Sequence, residues 1–206
     1  MKFIVWATVA QWNEFTGSRT DMDYIRVEDG NSFNKFDDAD AIFCLQQITD
    51  VSVFKHITKP VFINSVTNTL ASLNAPANVL RINGWATFLN RHTWEIAGKI
   101  NNQVINIFNS LNIKIHAVAD EPGFVSARVI AMIINEAYFA LGDDVSGKEE
   151  IDIAMKLGTN YPYGPFEWAT FIGEKNILTL LQKLFETNNR YQPAALLIEK
   201  ANQKNA

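Results

Sequence analysis

Asp120-Glu121-Pro122-Gly123-Phe124-Val125-Ser126-Ala127-Arg128 separates two kinds of sequence. Before it, short apolar runs rich in β-branched and aromatic residues recur at 3–8, 24–27, 41–45, 60–66 and 78–82, with turn-rich or polar spacers between them. After it, apolar residues return at helical spacing through Val125, Val129, Met132, Ile133, Ala137 and Ala140, up to a stop near Gly142. The change of period predicts an open parallel α/β sheet over residues 1–120 and an all-helical domain over 121–206. A proline is readily housed at a helix start and not in its interior, so the long helix is expected to begin at Pro122.

Within the first part, Ala41-Ile42-Phe43-Cys44-Leu45 is continuously apolar, as an interior parallel strand covered on both faces requires. The spacers are short for parallel crossovers, and between Thr8 and Tyr24 only a short helix fits, around Val9–Phe15. Ile100, Val104, Ile107, Phe108 and Leu111 mark a helix, and 114–118 reads as a last strand. On the C-terminal side Ser146 and Glu149 have the spacing of a capping box ahead of Ile151, Ala154 and Met155. A Tyr/Pro/Gly turn at 161–165 and helices over 177–185 and 194–201 complete the reading.

With 48% hydrophobic and 19% charged residues among 206, the composition is that of a globular protein. A net charge of -4, without any Lys/Arg cluster, offers no field for a phosphate backbone, so nucleic acid is not expected as a partner. The apolar run at 3–7 is short and lacks a cleavage site, and no stretch reaches the length of a membrane span; a cytoplasmic protein is expected. The single Cys44 leaves no internal disulfide or thiolate cluster, and the three histidines have no metal-ligand spacing, so no metal is expected.

Together with Gly158-Thr159-Asn160-Tyr161-Pro162-Tyr163-Gly164-Pro165-Phe166-Glu167-Trp168, the 120–128 run resembles the C-terminal domain of the 3-hydroxyacyl-CoA dehydrogenase family, whose members join a nucleotide half to a helical half through D-x-P-G-F-[IV]-x-N-R. The resemblance implies a shortened Rossmann-like parallel sheet followed by an all-helical 6-phosphogluconate/hydroxyacyl-CoA dehydrogenase C-terminal-like domain. It also implies NAD as cofactor, oxidation of the C3 hydroxyl of a 3-hydroxyacyl-CoA, and a homodimer formed through the helical domain.

A dinucleotide site of this kind needs G-x-G-x-x-G directly after the first strand, so that the pyrophosphate reaches amides at a helix N-terminus. That place reads Trp6-Ala7-Thr8-Val9-Ala10-Gln11-Trp12. Thr8 is either a weak substitute donor or part of a turn that serves only the core. Glu28, about 20 residues on, has the spacing of a ribose acceptor and equally that of a solvated strand end. Gln46 and Asn64, at the ends of the third and fourth strands, complete the expected cofactor-binding set.

The resemblance further implies a catalytic histidine that takes the hydroxyl proton and a glutamate twelve positions later that orients it. Glu95 matches the glutamate, and counting back twelve reaches Asn83. An amide does not titrate near neutral pH, so Asn83 orients a carbonyl but is no general base. His92, three residues before Glu95, shares a face with it if the segment is helical, as a relocated base or as a plain hydrogen-bond partner. Asn83, Glu95 and His92 are therefore the catalytic candidates. His56, after Phe54-Lys55 in an expected helix, and His116, in an expected strand, have weaker cases. For substrate binding, Ala127 stands where the family carries asparagine and Arg128 matches its arginine. Val66 stands at the family's serine, with Ser65 or Thr67 as substitutes after a small shift. These replacements lead us to expect weak or lost dehydrogenase activity; the alternative function is a non-catalytic homodimer binding acyl-CoA or another small molecule.

Overall fold

The computed structural model describes residues 1–28, 38–48 and 50–203, and the chain divides into two compact units, Met1–Phe124 and Val125–Ala206. In the first unit, strands β1 (Lys2–Trp6), β2 (Asp23–Val27), β3 (Ala41–Gln47), β4 (Val61–Asn64), β5 (Val79–Ile82), β6 (Thr93–Ala97) and β7 (Lys114–Ala117) form one sheet of order β2-β1-β3-β4-β5-β6-β7. The first five strands run parallel, β6 is antiparallel to β5, and β7 is parallel to β6. This is the expected Rossmann-like α/β architecture, with one departure from an all-parallel sheet, the antiparallel pairing of β6 with β5.

Alternation along the strands builds two cores. Phe3, Val5, Phe43, Leu45, Phe62 and Leu80 face one side. There α1 (Val9–Thr16) and α2 (Asn102–Ser110) contribute Phe15, Val104, Ile107 and Phe108. Phe43 and Phe62 stack at 4.8 Å between ring centroids, and Phe108 meets Phe62 edge-on at 5.0 Å. Ile4, Ile42, Cys44, Val61, Ile63 and Val79 face the other side, covered by Val51, Phe54 and the turns around them. Two charged residues tie α1 to the segment before β6. Glu14 accepts from the Leu89 amide at 2.9 Å, and the buried Arg19 donates to the carbonyls of Phe15, Leu89 and Arg91 at 2.6 to 3.0 Å.

The structure corrects three local expectations here. Residues 93–97 form a strand, so His92 and Glu95 do not share a helical face; residues three apart along a strand point to opposite sides. His56 follows a short turn of 3-10 helix at Ser52–Phe54 and not a regular helix. The long helix α3 (Ser126–Gly142) begins at Ser126 and not at Pro122, because Gly123 and Phe124 have φ of 89° and 50°, which a right-handed helix does not admit.

The second unit contains α3, α4 (Lys148–Thr159), α5 (Pro165–Ile172), α6 (Glu174–Phe185) and α7 (Ala195–Gln203). The capping box at Ser146 is not formed: Gly147 is the N-cap of α4, with no side-chain cap. Helix α5 was hidden in sequence behind its Tyr/Pro/Gly turn. Its start explains the Gly164-Pro165-Phe166-Glu167 run. Pro165 occupies the first helical position, the Glu167 carboxylate accepts from the Gly164 amide at 2.8 Å, and Asp152 from α4 accepts from the Phe166 and Glu167 amides at 2.8 and 3.2 Å. Gly164 leaves the room Asp152 needs, since a Cβ there would collide with its carboxylate. Burial and the nearby Glu167 carboxylate raise the Asp152 carboxyl above its ordinary range, despite the two amides it accepts from.

Candidate functional site

Parallel strands β1 to β5 bring Thr8, Glu28, Gln46, Asn64 and Asn83 to the carboxyl edge of the sheet, where open α/β sheets bind ligands. The order β2-β1-β3 puts the topological switch point between β1 and β3. Thr8 caps α1: its hydroxyl accepts from the Gln11 amide at 3.2 Å, and the Gln11 carboxamide accepts from the Thr8 amide at 3.1 Å. Gln11 Nε2 then donates to the Leu45 carbonyl of β3 at 2.6 Å. Glu28 is exposed just beyond β2, and its carbonyl accepts from the Trp6 indole at 3.3 Å. Gln46 is half-buried at the end of β3.

Asn64 is buried and fully engaged. Its Nδ2 donates to the carbonyls of Leu45 at 2.9 Å and Gly84 at 3.3 Å, while its Oδ1 accepts from the Gly84 amide at 3.0 Å. A Cβ on Gly84 would stand 2.6 Å from the Asn64 Cγ, so the glycine is what lets the amide lie against the backbone.

Asn83 is also buried, and its Oδ1 accepts from the Trp85 amide at 3.2 Å. The antiparallel register of β5 and β6 pairs Arg81 with Ala97 and Ile82 with Ile96; β5 ends there, and Asn83 and Glu95 are the residues next to that last pair. On its other side Glu95 is in register with His116 of β7, a neighbour that sequence spacing did not suggest. His92 is exposed and meets β7 through its carbonyl, which accepts from the Lys114 amide at 2.7 Å. Ser65 is buried with its hydroxyl donating to the Asn68 carbonyl at 2.9 Å. Val66 is buried, and its carbonyl accepts from the amide of Gly123 at 2.7 Å.

In the second unit Ala127 is fully buried in α3. Arg128 lies 6.0 Å from the Tyr191 ring and, with Val129, Met132, Ile133, Glu136, Arg190 and Tyr191, lines an apolar groove of about 350 Å³. Among the described residues no three His, Cys, Asp or Glu side chains converge as a metal site would need, and no helix is long and apolar enough to cross a membrane.

One functional-looking residue was missed in sequence. Arg81, inside an apolar strand, is wholly buried. It binds Asp120 and the carbonyls of Ser65, Val66 and Glu121 beside the positions expected to hold substrate. An arginine within an apolar run is the signal that would have found it.

Residues 123–206 match the family described as 3-hydroxyacyl-CoA dehydrogenase, C-terminal domain. Through this helical unit the chain is similar to the 3-hydroxyacyl-CoA dehydrogenase family. It is 46% identical over 86 residues to the 3-hydroxyadipyl-CoA dehydrogenase of Escherichia coli K12, a match covering 41% of this chain and 18% of that protein. With the 3-hydroxybutyryl-CoA dehydrogenase of Bradyrhizobium diazoefficiens it shares 42% identity over 82 residues, covering 39% of this chain and 28% of the relative. The matched segments thus span less than a third of either relative.

Among solved structures, a 3-hydroxybutyryl-CoA dehydrogenase from Escherichia coli K12 is similar over 70% of this chain and 32% of its own, with a TM-score of 0.60 and 33% identity. An (S)-3-hydroxybutyryl-CoA dehydrogenase from Ralstonia eutropha is similar over 98% of this chain and 94% of its own, with a TM-score of 0.70. At 19% identity, that likeness concerns the fold.

Proposed function

We propose that this chain is a family member whose conventional turnover is weak or lost, and that it serves as a cytoplasmic, homodimeric module binding an acyl-CoA or related small molecule. In this reading residues 1–120 are a degenerate nucleotide half and 121–206 the retained helical half. The observation that carries it is Asn83: at the place the resemblance gives to a catalytic histidine stands a buried amide whose oxygen already accepts from the Trp85 amide. A carboxamide neither takes nor returns a proton near neutral pH, and positioned proton transfer alone contributes about 10²–10⁴-fold. Ala127 offers a methyl group, wholly buried, where the family's asparagine would hold substrate.

A second reading is residual NAD-dependent oxidation of a 3-hydroxyacyl-CoA with Glu95 as proton acceptor. It draws on the β5–β6 pairing, whose last pair, Ile82 and Ile96, adjoins Asn83 and Glu95. Two measurements on the purified protein separate the readings. Acetoacetyl-CoA should leave NADH absorbance unchanged, whereas a rate within about 1–10³ s⁻¹ would establish a working enzyme. Calorimetric titration should show binding of CoA or acetoacetyl-CoA; no heat with either would remove the ligand-binding role.

A further inference from the structure

In a dinucleotide-binding fold the three glycines after the first strand exist so that the backbone meets the pyrophosphate without side chains in between. Strand β1 ends at Trp6, and the spacing G-x-G-x-x-G counted from Trp6 falls on Trp6, Thr8 and Gln11. Each of these side chains has an internal partner at the crevice. The Trp6 indole donates to the Glu28 carbonyl at the end of β2, the strand end that holds a ribose in such folds. Thr8 and Gln11 satisfy each other's amides at 3.2 and 3.1 Å, so two donors that an anion would share at the start of α1 are already bonded. The Gln11 carboxamide then crosses the switch point to the Leu45 carbonyl at 2.6 Å, and the same carbonyl takes Asn64 Nδ2 at 2.9 Å.

We infer that the switch-point crevice is filled by the protein's own Trp6, Thr8 and Gln11 side chains, and that these residues do not fit a dinucleotide. The neutral Gln11 carboxamide supplies the acceptor that a phosphate oxygen would offer the Thr8 amide, and its other end fastens α1 to β3. An entering pyrophosphate has to displace Gln11 from both ends, which strips Thr8 of its acceptor, leaves the Leu45 carbonyl with Asn64 Nδ2 alone and leaves the carboxamide to find new partners. This goes beyond the missing base at Asn83: a protein lacking only the base would still bind NADH.

The test is an equilibrium titration of the full chain with NADH, read by nucleotide fluorescence and by calorimetry. The unmodified protein should show no saturation up to about 1 mM. Thr8→Gly/Gln11→Gly and the triple variant that adds Trp6→Gly reopen the turn; where circular dichroism shows them folded, the NADH Kd should fall at least about tenfold below that limit. Gln11→Ala, which keeps the Thr8 hydroxyl on α1, should tighten binding less than either. In the unmodified protein the Gln11 side-chain amide resonances should stay in place as NADH is added. Saturable NADH binding that moves those resonances overturns the inference, and so do folded glycine variants that remain blind to NADH. Should the glycine variants not fold, the titration and the Gln11 resonances of the unmodified protein decide. Binding of NADH without turnover would overturn the filled crevice and leave the reading of Asn83 standing.

Discussion

Arg81 Nη1 lies 2.6 Å from Asp120 Oδ1, and the guanidinium is fully buried. Its Nε and Nη2 donate to the carbonyls of Ser65 at 2.8 Å and Val66 at 3.1 Å, and Phe124 lies under it with its ring centroid 4.7 Å from Cζ. Asp120 also accepts from the amides of Leu70 at 3.0 Å and Ala71 at 3.2 Å. The cation is tolerated in the interior because its donors have acceptors and its charge has a counterion.

Removing one member should cost far more than removing both. Asp120→Ala leaves Arg81 buried without its counterion and is expected to destabilise the first unit by about 3–5 kcal/mol. Arg81→Met/Asp120→Leu should recover a large part of that loss. Urea unfolding of the single and double variants, followed by tryptophan fluorescence, measures the coupling; additive losses would show that the pair is not a unit.

The same pair predicts an acid limb. Burial pushes the Asp120 carboxyl up, but the Leu70 amide, Arg81 and the Ala71 amide outweigh it and hold the carboxyl below its ordinary range. A folded-state pKa below the unfolded one contributes stability that is present above the unfolded pKa and lost as pH falls through the folded one. Stability should therefore drop between about pH 5 and 2, and Asp120→Asn should flatten that drop. Asp152 works against it, because its raised carboxyl loses stability as pH rises through the carboxylate range. An acid limb unchanged in Asp120→Asn would refute the assignment.

Gly84→Ala should destabilise through Asn64. A Cβ at that position meets the Asn64 side chain at 2.6 Å, so the clasp on the Gly84 backbone must open and leave buried amide groups unpaired. The expected loss is about 1–3 kcal/mol. In Asn64→Ala the added effect of Gly84→Ala should be much smaller, and equal effects in both backgrounds would rule out the clasp as the cause.

Asn83→His supplies the missing base but should not restore turnover, because groups that act as a unit give little singly. The rate of NADH oxidation with acetoacetyl-CoA should rise by less than about tenfold, against the 10²–10⁴-fold that positioned proton transfer contributes. A larger gain would mean that the base alone was lacking.

The helical unit exposes a stripe along α3 in which Val125, Val129 and Phe139 are 56%, 49% and 38% exposed. Val125 and Phe139, and likewise Arg128 and Glu136, lie at equal distances either side of Met132. A second copy of α3 running antiparallel would set each Arg128 against a Glu136, as a two-fold contact requires. Light scattering at tens of micromolar should give twice the 23.2 kDa of the chain, and Val129→Glu should halve it. A monomer mass for the unmodified protein would count against the dimer.

Much of the fold was legible in sequence because periodicity is a local property. The runs at 24–27, 41–45 and 78–82 alternate or stay apolar within a few residues, and the helix at 102–110 repeats Val104, Ile107 and Phe108 on one face. Strand β6 was not legible: Thr93-Trp94-Glu95-Ile96-Ala97 is too short to separate strand from helix until β5 and β7 lie beside it. Of the candidate site, the residue types at Thr8, Glu28, Gln46, Asn64 and Asn83 and their shared edge followed from strand ends, which are again local.

The chain of amino acids thus fixed most of the strands and helices apart from β6 and α5, the lack of a glycine fingerprint after β1, and the amide twelve residues before Glu95. Only the tertiary structure decided what those residues touch. Gln11 meets a carbonyl 34 positions away at Leu45, Asn64 closes on Gly84 across 20, and Arg81 finds Asp120 across 39. Side-chain propensity acts over a turn or two of backbone, whereas the partner of a buried polar group depends on which strands the sheet brings together, and that order, β2-β1-β3-β4-β5-β6-β7, is set by the packing of both faces at once.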